Sequence, residues 1–251
     1  MTRALYTGFT GMVNEQKRLD IISNNIANSA TVGYKGENVT SQSFEDVLTL
    51  KIRDNSEYYV DRPIGNMSLG VRIGEVYTDY TQGSLRETGN TYDLAVEGQG
   101  FFEVREGDNI RYTRNGSFKM TQDGFVVDSD GNHLQGESGD VQVPVDATIA
   151  IKVDGSIYAN GVYVDTVKLV DFENYDYLEK VGDISYKAVD GAVSFDATGS
   201  IRQGYTEQSN INAVSEMVDL IAITRAYEAN QKVIQTEDSL LEKAVNQIGR
   251  L

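Results

Sequence analysis

Residues 205–248 read YTEQSNINAVSEMVDLIAITRAYEANQKVIQTEDSLLEKAVNQI and contain neither glycine nor proline. The absence of both helix-breaking residues over this length predicts one long helix, with Ser209 or Asn210 as its N-cap. Positions spaced alternately four and three residues apart form a stripe in which eight of eleven are apolar, which is typical of a heptad seam. The stripe consists of Ala213, Met217, Leu220, Thr224, Tyr227, Gln231, Ile234, Asp238, Leu241, Val245 and Ile248.

A weaker stripe of the same kind lies near the N-terminus, and it predicts a second helix. Ordering the backbone of a lone helix costs more than one apolar stripe returns, so each helix needs a partner. That partner is either the other terminal helix or a further copy of the chain, and the periodicity leaves both open. Five of the seven positions are apolar in this stripe of Leu5, Phe9, Met12, Gln16, Leu19, Ser23 and Ile26.

The middle of the chain has a different pattern, in which short β-branched and aromatic runs alternate with turn dipeptides. Asn115-Gly116, Asp154-Gly155 and Asn160-Gly161 are examples, and such pairs recur about every ten residues, as in hairpins. We therefore predict an α+β, mainly β fold, with a central antiparallel β domain flanked by N- and C-terminal helices that pair in a coiled-coil-like layer. The predicted parts are an N-terminal helix and turn at 1–35, an extended linker or insertion at 36–75, an all-β domain at 76–205 and a C-terminal helix at 206–251.

Composition excludes several classes of function. The chain has 251 residues and a net charge of −16, which argues against nucleic-acid binding because phosphate contacts need a basic face. Cysteine is absent, so neither disulfides nor thiolate metal sites can form. The longest apolar run, Leu220–Ile223, is far too short for direct membrane insertion, and residues 1–26 contain no apolar core of a cleaved signal peptide.

Residues that carry chemistry are few, and we predict no enzyme and no cofactor. The single histidine, His133, lies in a predicted solvated turn. Asp128, Asp130 and Asn132 resemble the start of a calcium loop, but His133 replaces the required glycine. The abundant carboxylates leave open a catalytic pair of acids, as in a carbohydrate-active enzyme, although an acidic surface explains them more simply.

Three sequence blocks, in order, resemble the bacterial flagellar rod and hook proteins. The first is ISNNIAN at 22–28 followed by TVGYK at 31–35. The second is LAVEGQGFF at 94–102 followed by YTRNGSF at 112–118. The third is SNIN at 209–212, then Met217-Val218 and RAYEANQK at 225–232. Together the blocks span almost the whole chain and are highly specific.

This resemblance implies a structural subunit that polymerises into a hollow helical shaft in the basal body and transmits motor torque. Its partners would be further copies of itself, other axial proteins of the rod and hook, the type III export apparatus and the ring bushings around the rod. Export would proceed without a cleaved signal peptide. The length rules out the longer hook protein, and the segment 36–91, with Phe44–Leu48, favours the distal over the proximal rod subclass. A secreted β-domain adhesin or carbohydrate-binding module, built on the 15 tyrosines, is the alternative from another class.

The resemblance also implies which residues serve in subunit assembly. Apolar residues would line the two helices, asparagines would make lateral contacts where the first helix ends, and Arg225 with Glu228 would make polar contacts between subunits. The full set is Leu5, Met12, Leu19, Ile22, Asn24, Asn25, Ile26, Asn28, Gly33, Tyr34, Lys35, Ser209, Asn210, Asn212, Met217, Leu220, Ile221, Arg225, Tyr227, Glu228, Asn230, Ile234 and Leu241.

Overall fold

The computed structural model describes residues 2–44, 47–51, 62–67 and 70–248. A helix near each terminus flanks a run of short β-strands, so the α+β class with a mainly β centre is confirmed. The chain forms two compact units. We call them the helical unit (residues 1–26, 37–77 and 213–251) and the β unit (residues 27–36 and 78–212).

The helical unit contains the two long helices and two strand pairs within the described residues. Strand β1 pairs with β4, and β2 pairs antiparallel with β3, so the segment predicted as an extended linker or insertion contains paired strands. Glu45 and Asp46 of the predicted insertion motif lie outside the described residues. The elements are α1 (Thr2–Ala27), β1 (Glu37–Ser43), β2 (Val47–Lys51), β3 (Arg62–Met67), β4 (Val71–Thr78) and α2 (Ala213–Lys243), followed by a π-helical turn at Ala244–Ile248.

Helix α2 begins at Ala213, later than the predicted start at residue 206. Tyr205–Glu207 instead forms a strand that pairs antiparallel with Leu85–Glu87. Its backbone hydrogen-bonding groups are used in that pairing and are not available for a helix. The predicted N-cap is also wrong. The Ser209 hydroxyl accepts a hydrogen bond from the Ile211 N–H (3.2 Å), and Asn210 bonds to other segments, so both residues lie before the helix.

Short strands build the β unit. In chain order they are β5 (Leu85–Glu87), β6 (Leu94–Glu97), β7 (Phe101–Glu106), β8 (Asn109–Thr113), β9 (Lys119–Met120), β10 (Val126–Val127), β11 (His133–Gly136), β12 (Gly139–Asp140), β13 (Ile149–Ile151), β14 (Ser156–Ala159), β15 (Val162–Thr166), β16 (Leu169–Phe172), β17 (Leu178–Val181), β18 (Ser185–Ala188), β19 (Ser194–Asp196), β20 (Ser200–Gln203) and β21 (Tyr205–Glu207).

The largest sheet of this unit has the order β17-β18-β8-β7-β11-β10-β9. Strand β16 pairs with both β7 and β19, and β12 pairs with β11. Strands β13, β14 and β15 form a separate sheet, and β20 pairs with β6. At the β14–β15 turn, Asn160 and Gly161 have φ values of 52° and 82°, as a tight hairpin requires, so the turn predicted there is confirmed.

Two apolar cores lie on opposite faces of β7. Because successive side chains of a strand alternate between faces, Phe101 and Phe102 enter different cores. Phe102 packs edge-on against Phe118, with ring centroids 5.4 Å apart, in the larger core. Phe101 packs against Tyr186, with ring centroids 5.7 Å apart, in the smaller one.

Candidate assembly surfaces

Helix α2 has one face that is covered within the helical unit. The covered positions recur at alternating intervals of three and four residues, and Ile223 is the most buried of them, at 3% exposure. Half of these positions belong to the predicted seam, whereas the others lie one residue earlier than predicted. The covered face consists of Ala213, Glu216, Leu220, Ile223, Tyr227, Asn230, Ile234, Glu237, Leu241 and Ala244, and Thr224 of the predicted seam and Ala226 are half-buried beside it.

Helix α1 contacts this face through two glycines that the sequence patterns did not single out. A Cβ at Gly8 would lie 3.1 Å from Ile234 Cγ1, and a Cβ at Gly11 would lie 3.0 Å from Asn230 Nδ2. A glycine inside a helix costs about 0.5–1 kcal/mol relative to alanine. The close approach of the two helices accounts for glycine at these positions. Glycines three residues apart on one helical face were the signal available in the sequence.

A second set of apolar residues on the helices faces solvent. On α2, Met217, Val218 and Ile221 are 52%, 62% and 52% exposed and lie together at the helical spacing i, i+1 and i+4. On α1, Phe9 and Val13 are exposed and lie four residues apart, on one face of the helix. Clustered exposed apolar residues mark interaction sites in soluble proteins. Further exposed apolar residues are Val233 and Leu240 of α2 and Val245 of the π-helical turn that follows it.

Asn25 holds strand β1 beside the end of α1. Its side-chain amide donates to the Glu37 carbonyl (2.9 Å) and its side-chain oxygen accepts from the Glu37 N–H (3.0 Å), as a paired strand residue would. The amide also lies 3.5 Å from a carboxylate oxygen of Glu216. Burial raises the pKa of Glu216, the hydrogen bond from Asn25 opposes that rise, and the charge of Asp219 adds to it. The buried Asn25 is therefore used inside the helical unit.

The chain passes between the two units after residues 26, 36, 77 and 212. The ends of three connecting segments, at residues 33–36, 79–84 and 207–210, all belong to the β unit and are hydrogen-bonded to one another. The Asp79 N–H donates to the Gly36 carbonyl (2.8 Å), and the Gln208 N–H donates to the Ser84 carbonyl (2.9 Å).

Glu207 is the common acceptor of these segments. Its Oε1 accepts hydrogen bonds from Lys35 Nζ (2.6 Å) and from the Gly83 N–H (2.9 Å). Its Oε2 lies 3.3 Å from Arg114 Nη1, and its carbonyl accepts from the Gly33 N–H at 2.8 Å. The side chains of Lys35, Glu207 and Arg114 are 1%, 0% and 4% exposed, so this is a buried ion cluster.

The two cations of this cluster reach further backbone oxygens. Lys35 Nζ donates to the Thr81 carbonyl (2.7 Å), and Arg114 Nη2 donates to the Gly98 carbonyl (2.9 Å). The Arg114 guanidinium also lies over the Phe101 ring, 5.2 Å from its centroid. Burial lowers the pKa of Lys35, and the charge and hydrogen bond of Glu207 oppose that shift. The cluster thus links Lys35 of the first motif block and Arg114 of the second to Glu207, two residues before the third block.

Asn210 links the segment 207–210 to Gly36 and to Asp79 of the other two connecting segments. Its Oδ1 accepts from the Gly36 N–H (2.9 Å) and its Nδ2 donates to the Asp79 carbonyl (2.8 Å). We call Lys35, Arg114, Glu207 and Asn210 the junction clamp. Arg114 and Glu207 were absent from the predicted set, since isolated charged residues in polar sequence ordinarily indicate a solvated surface.

The other predicted assembly residues divide by exposure. Tyr34 and Gly33 are buried in the β unit, as is Ser209. Asn24 and Asn212 are exposed, as are Arg225 and Glu228. Half-buried positions are Leu5, Met12, Leu19, Ile22, Ile26, Asn28, Leu220, Tyr227, Asn230, Ile234 and Leu241.

His133 does not lie in a solvated turn, as predicted, but begins strand β11. Its Nδ1 is 3.1 Å from Asp140 Oδ2, because the β11–β12 hairpin places Asp140 opposite Gln135, two residues from His133 on the same strand. Among the described residues, no group of three His, Cys, Asp or Glu side chains is arranged to hold a metal ion. Asp128 accepts from the backbone N–H groups of Asp130 and Asn132, so its carboxylate is used within the loop.

Many of the tyrosines pack inside the β unit. Tyr80, Tyr112, Tyr175 and Tyr186 surround Phe101 and Phe172 in the smaller core. The Tyr80 ring lies 4.8 Å from that of Tyr175 and 5.4 Å from that of Tyr186. These residues therefore belong to a core, whereas an adhesin would need them on an exposed binding face.

Comparison with known proteins connects these features to a family. Residues 5–35 match the family described as "Flagella basal body rod protein", and residues 202–248 match "Flagellar basal body rod FlgEFG protein C-terminal". Residues 95–159 match "Flagellar hook protein FlgE/F/G D1 domain". The flagellar basal-body rod protein FlgG of Bacillus subtilis is 34% identical over 266 aligned residues, which cover 98% of this chain and 99% of the relative. The chain belongs to the flagellar basal-body rod protein family.

Two further relatives of the rod family align over nearly the full length. FlgG of Agrobacterium fabrum is 36% identical over 258 residues, covering 95% of this chain and 96% of the relative. FlgF of Caulobacter vibrioides is 30% identical over 257 residues, covering 100% of both chains. The predicted family is thus confirmed, and the protein is a structural subunit of the flagellar rod.

Membership of the rod family places the protein in the flagellar basal body and implies self-assembly and association with other axial flagellar proteins. The junction clamp lies across the matched regions, since Lys35 closes the first and Glu207 lies in the last. Neither helix within the described residues is long and apolar enough to cross a membrane.

Proposed function

We propose that the protein is a distal rod subunit, which polymerises through its terminal helices into a hollow helical drive shaft that transmits torque. The observation that carries this proposal is the exposed apolar surface on both helices, with Phe9 and Val13 on α1 and Met217, Val218 and Ile221 on α2. The full-length similarity to FlgG proteins supports the distal position. The full-length similarity to an FlgF protein favours the alternative, a proximal subunit of the same shaft.

The two helices pair within one subunit and then contact neighbouring subunits. The close approach of Gly8 to Ile234 and of Gly11 to Asn230 supports a coiled-coil-like pair inside the subunit. The exposed apolar residues lie outside that contact and are left for other copies. A contact that carries the α1 surface of one copy to the α2 surface of the next is heterologous, and it extends a filament because it does not close.

Charge favours contact between unlike helices. Helix α1 carries three basic and two acidic residues, whereas α2 carries three basic and six acidic residues. Contact between two copies of α2 would bring like charges together, whereas α1 against α2 does not. The helical unit as a whole has 15 acidic and 11 basic residues, and the β unit has 23 and 11. The unit with the smaller charge imbalance is therefore the one that packs against its copies.

The predicted assembly residues enter this proposal in two ways. Met217, Ile221, Arg225, Glu228 and the exposed Asn24 make direct contacts between subunits. The half-buried apolar residues hold the helix pair in shape. Gly33, Tyr34, Lys35, Ser209 and Asn210 lie in the β unit, where they hold the segments that lead into the helices.

The remaining partners follow from the proposed place in the shaft. Subunits reach it through the type III export apparatus without a cleaved signal peptide, and they meet rod and hook subunits along the axis. The ring bushings surround the rod and face the acidic β unit.

Polymerisation of purified full-length protein tests the proposal, and Ile221→Asp is the decisive variant. Ile221 is 52% exposed, so a carboxylate there leaves the monomer folded but places a charge in the apolar contact. Leu220→Asp is less informative because Leu220 is half-buried within the subunit. Gln235→Asp, at an exposed polar position of the same helix, is the matched control.

We expect sedimentation and electron microscopy to show polymers for the wild type and for Gln235→Asp. Ile221→Asp should remain monomeric, with an unchanged circular dichroism spectrum. Polymers of Ile221→Asp at wild-type yield would exclude assembly through this face of α2.

A further inference from the structure

The junction clamp has a buried charge arrangement that assembly through the helices does not use. It joins residues far apart in sequence, since Lys35 and Glu207 are separated by 172 positions and Arg114 and Glu207 by 93. The contacts of the clamp lie inside the β unit, and Lys35, Glu207 and Asn210 are near the ends of segments that continue into the helical unit. The clamp therefore holds together the chain segments through which the two units are connected.

A buried ion cluster is a costly way to stabilise a fold. Removing charges from water costs several kcal/mol for each ion, and apolar residues of similar volume often stabilise a core at least as well. Apolar packing, however, is tolerant of small shifts, whereas a carboxylate bonded to several donors fixes each of them in position. Glu207 fixes Lys35, Gly83 and Arg114 through its carboxylate and Gly33 through its carbonyl.

Asn210 extends this fixation to the residue where the chain leaves the β unit. Gly36 is the last residue of its segment in that unit, and its N–H donates to Asn210 Oδ1 while its carbonyl accepts from the Asp79 N–H. The Ile211 side chain, from the same segment as Asn210, packs beside Gly36. Gly36 is thus bonded both to the segment that contains Asp79 and to the segment that contains Asn210.

We propose that the junction clamp is a force-bearing lock, which makes the three connecting segments one mechanical block within the β unit. Load that acts on the β unit then passes into the connecting segments without their separating. This inference rests on the proposed function, because only a subunit of a torque-transmitting shaft carries such load. Lys35, Arg114, Glu207 and Asn210 are positioning residues in this lock.

Amide hydrogen exchange on full-length monomer tests the local role of the clamp. Asn210→Ala removes the bonds to Gly36 and Asp79 without leaving a buried charge unpaired, and Glu207→Gln removes the carboxylate itself. The matched controls are Asn174→Ala, at an exposed asparagine of the β unit, and Glu97→Gln, at an exposed ion pair with Arg202.

In Asn210→Ala, we expect the Gly36 amide, which loses its acceptor, to exchange at least tenfold faster, while the core amides of Phe102 and Val104 keep their wild-type rates. Glu207→Gln should accelerate the Gly83 amide, which donates to the replaced carboxylate, in the same selective way, and the controls should change neither amide. Uniform acceleration across the β unit would mean that these residues contribute only to the general stability of the unit. Unchanged rates would mean that they do not restrain the connecting segments. Either result overturns the lock.

Motility under load tests the mechanical role. In cells whose own copy carries Asn210→Ala, rods should form in normal number, while swimming should fail at a lower medium viscosity than in wild-type or Asn174→Ala cells. Normal rods with wild-type motility at every viscosity would overturn the lock but leave the proposed function intact. Missing rods would also overturn it, because Asn210 would then act in assembly. Failure of the proposed function would be seen in a separate experiment, in which Ile221→Asp still forms polymers at wild-type yield.

Discussion

Gly33→Ala should destabilise the β unit more than an ordinary substitution of a left-handed glycine. Gly33 has φ +71°, and a Cβ there would lie 2.3 Å from the Asn115 backbone nitrogen and 2.5 Å from the Arg114 carbonyl carbon. The left-handed conformation costs alanine about 1–2 kcal/mol. Overpacking adds about 1–3 kcal/mol, since the atoms that are met belong to backbone. Weakening the bond from the Gly33 N–H to the Glu207 carbonyl costs about 1 kcal/mol more.

The lower conformational entropy of an unfolded alanine offsets about 0.4–1 kcal/mol of this loss. The expected decrease in the free energy of unfolding is therefore about 3–5 kcal/mol. Gly107→Ala is the matched control, because Gly107 has φ +59° in the β7–β8 turn and a Cβ there would meet no atom within 4 Å. That substitution retains the conformational cost alone, about 1 kcal/mol after the same offset.

Thermal unfolding followed by near-ultraviolet circular dichroism measures the difference. The chain has 15 tyrosines and no tryptophan, and most of the tyrosines lie in the β unit, so the signal reports chiefly on that unit. For a unit of this size, 1 kcal/mol corresponds to about 2–4 °C in Tm. We expect Tm to fall by roughly 10 °C in Gly33→Ala and by roughly 3 °C in Gly107→Ala. Equal shifts in the two variants would show that the Arg114–Asn115 backbone does not close on Gly33.

Two further predictions concern pH. Burial raises the pKa of Glu216 above its usual range, so the folded chain binds the proton more tightly and loses stability as pH rises from the pKa of the unfolded chain through the raised pKa of the folded one. Glu216→Gln should remove this slope in urea unfolding between about pH 4 and pH 7, and a retained slope would contradict the assignment. Burial, with the hydrogen bond to Asp171, raises the pKa of Tyr175 to about 12, so stability should fall as pH rises from 10 toward that value. Tyr175→Phe should remove this alkaline loss of stability, and the lost hydrogen bond to Asp171 should lower the free energy of unfolding by about 1 kcal/mol at neutral pH. If the alkaline unfolding curve is unchanged in the variant, Tyr175 is not the source of the alkaline loss.

Helix periodicity predicted the covered face of α2 only in part, because that helix has two apolar surfaces. Leu220 and Ile234 belong both to the predicted stripe and to the covered face. Met217 entered the predicted stripe because it is apolar, yet it is exposed and the neighbouring Glu216 is covered, while Ile223 is buried beside the predicted Thr224. Successive residues of an α-helix lie about 100° apart, so a helix with apolar residues on two sides supports more than one stripe, and apolarity alone cannot say which stripe faces which partner.

The junction clamp was beyond the reach of periodicity for a different reason. Lys35, Arg114 and Glu207 meet only after the β unit has folded, and their wide separation leaves no local pattern of charge. Gly8 and Gly11 gave a local signal, but a single helix does not show which neighbour approaches a small residue. The turn at Asn160-Gly161 could be predicted without knowing its neighbours in the fold, since these two residues themselves favour the positive φ values that a tight hairpin turn requires.

The two kinds of interaction found here suit different tasks in a polymerising subunit. Covering an apolar surface such as that of Met217 and Ile221 with any complementary surface is favourable, because it removes apolar area from water. Such a surface can therefore be exposed in the monomer and become covered when another copy binds. A buried carboxylate such as Glu207 is stabilising only when all its donors are present, and donors supplied by another molecule would leave it unpaired in the free monomer. Contacts that form between copies are therefore best made of exposed apolar residues, and contacts that must never open are best made of charged ones within the chain. The distribution of the two kinds over the helical unit and the β unit follows this rule.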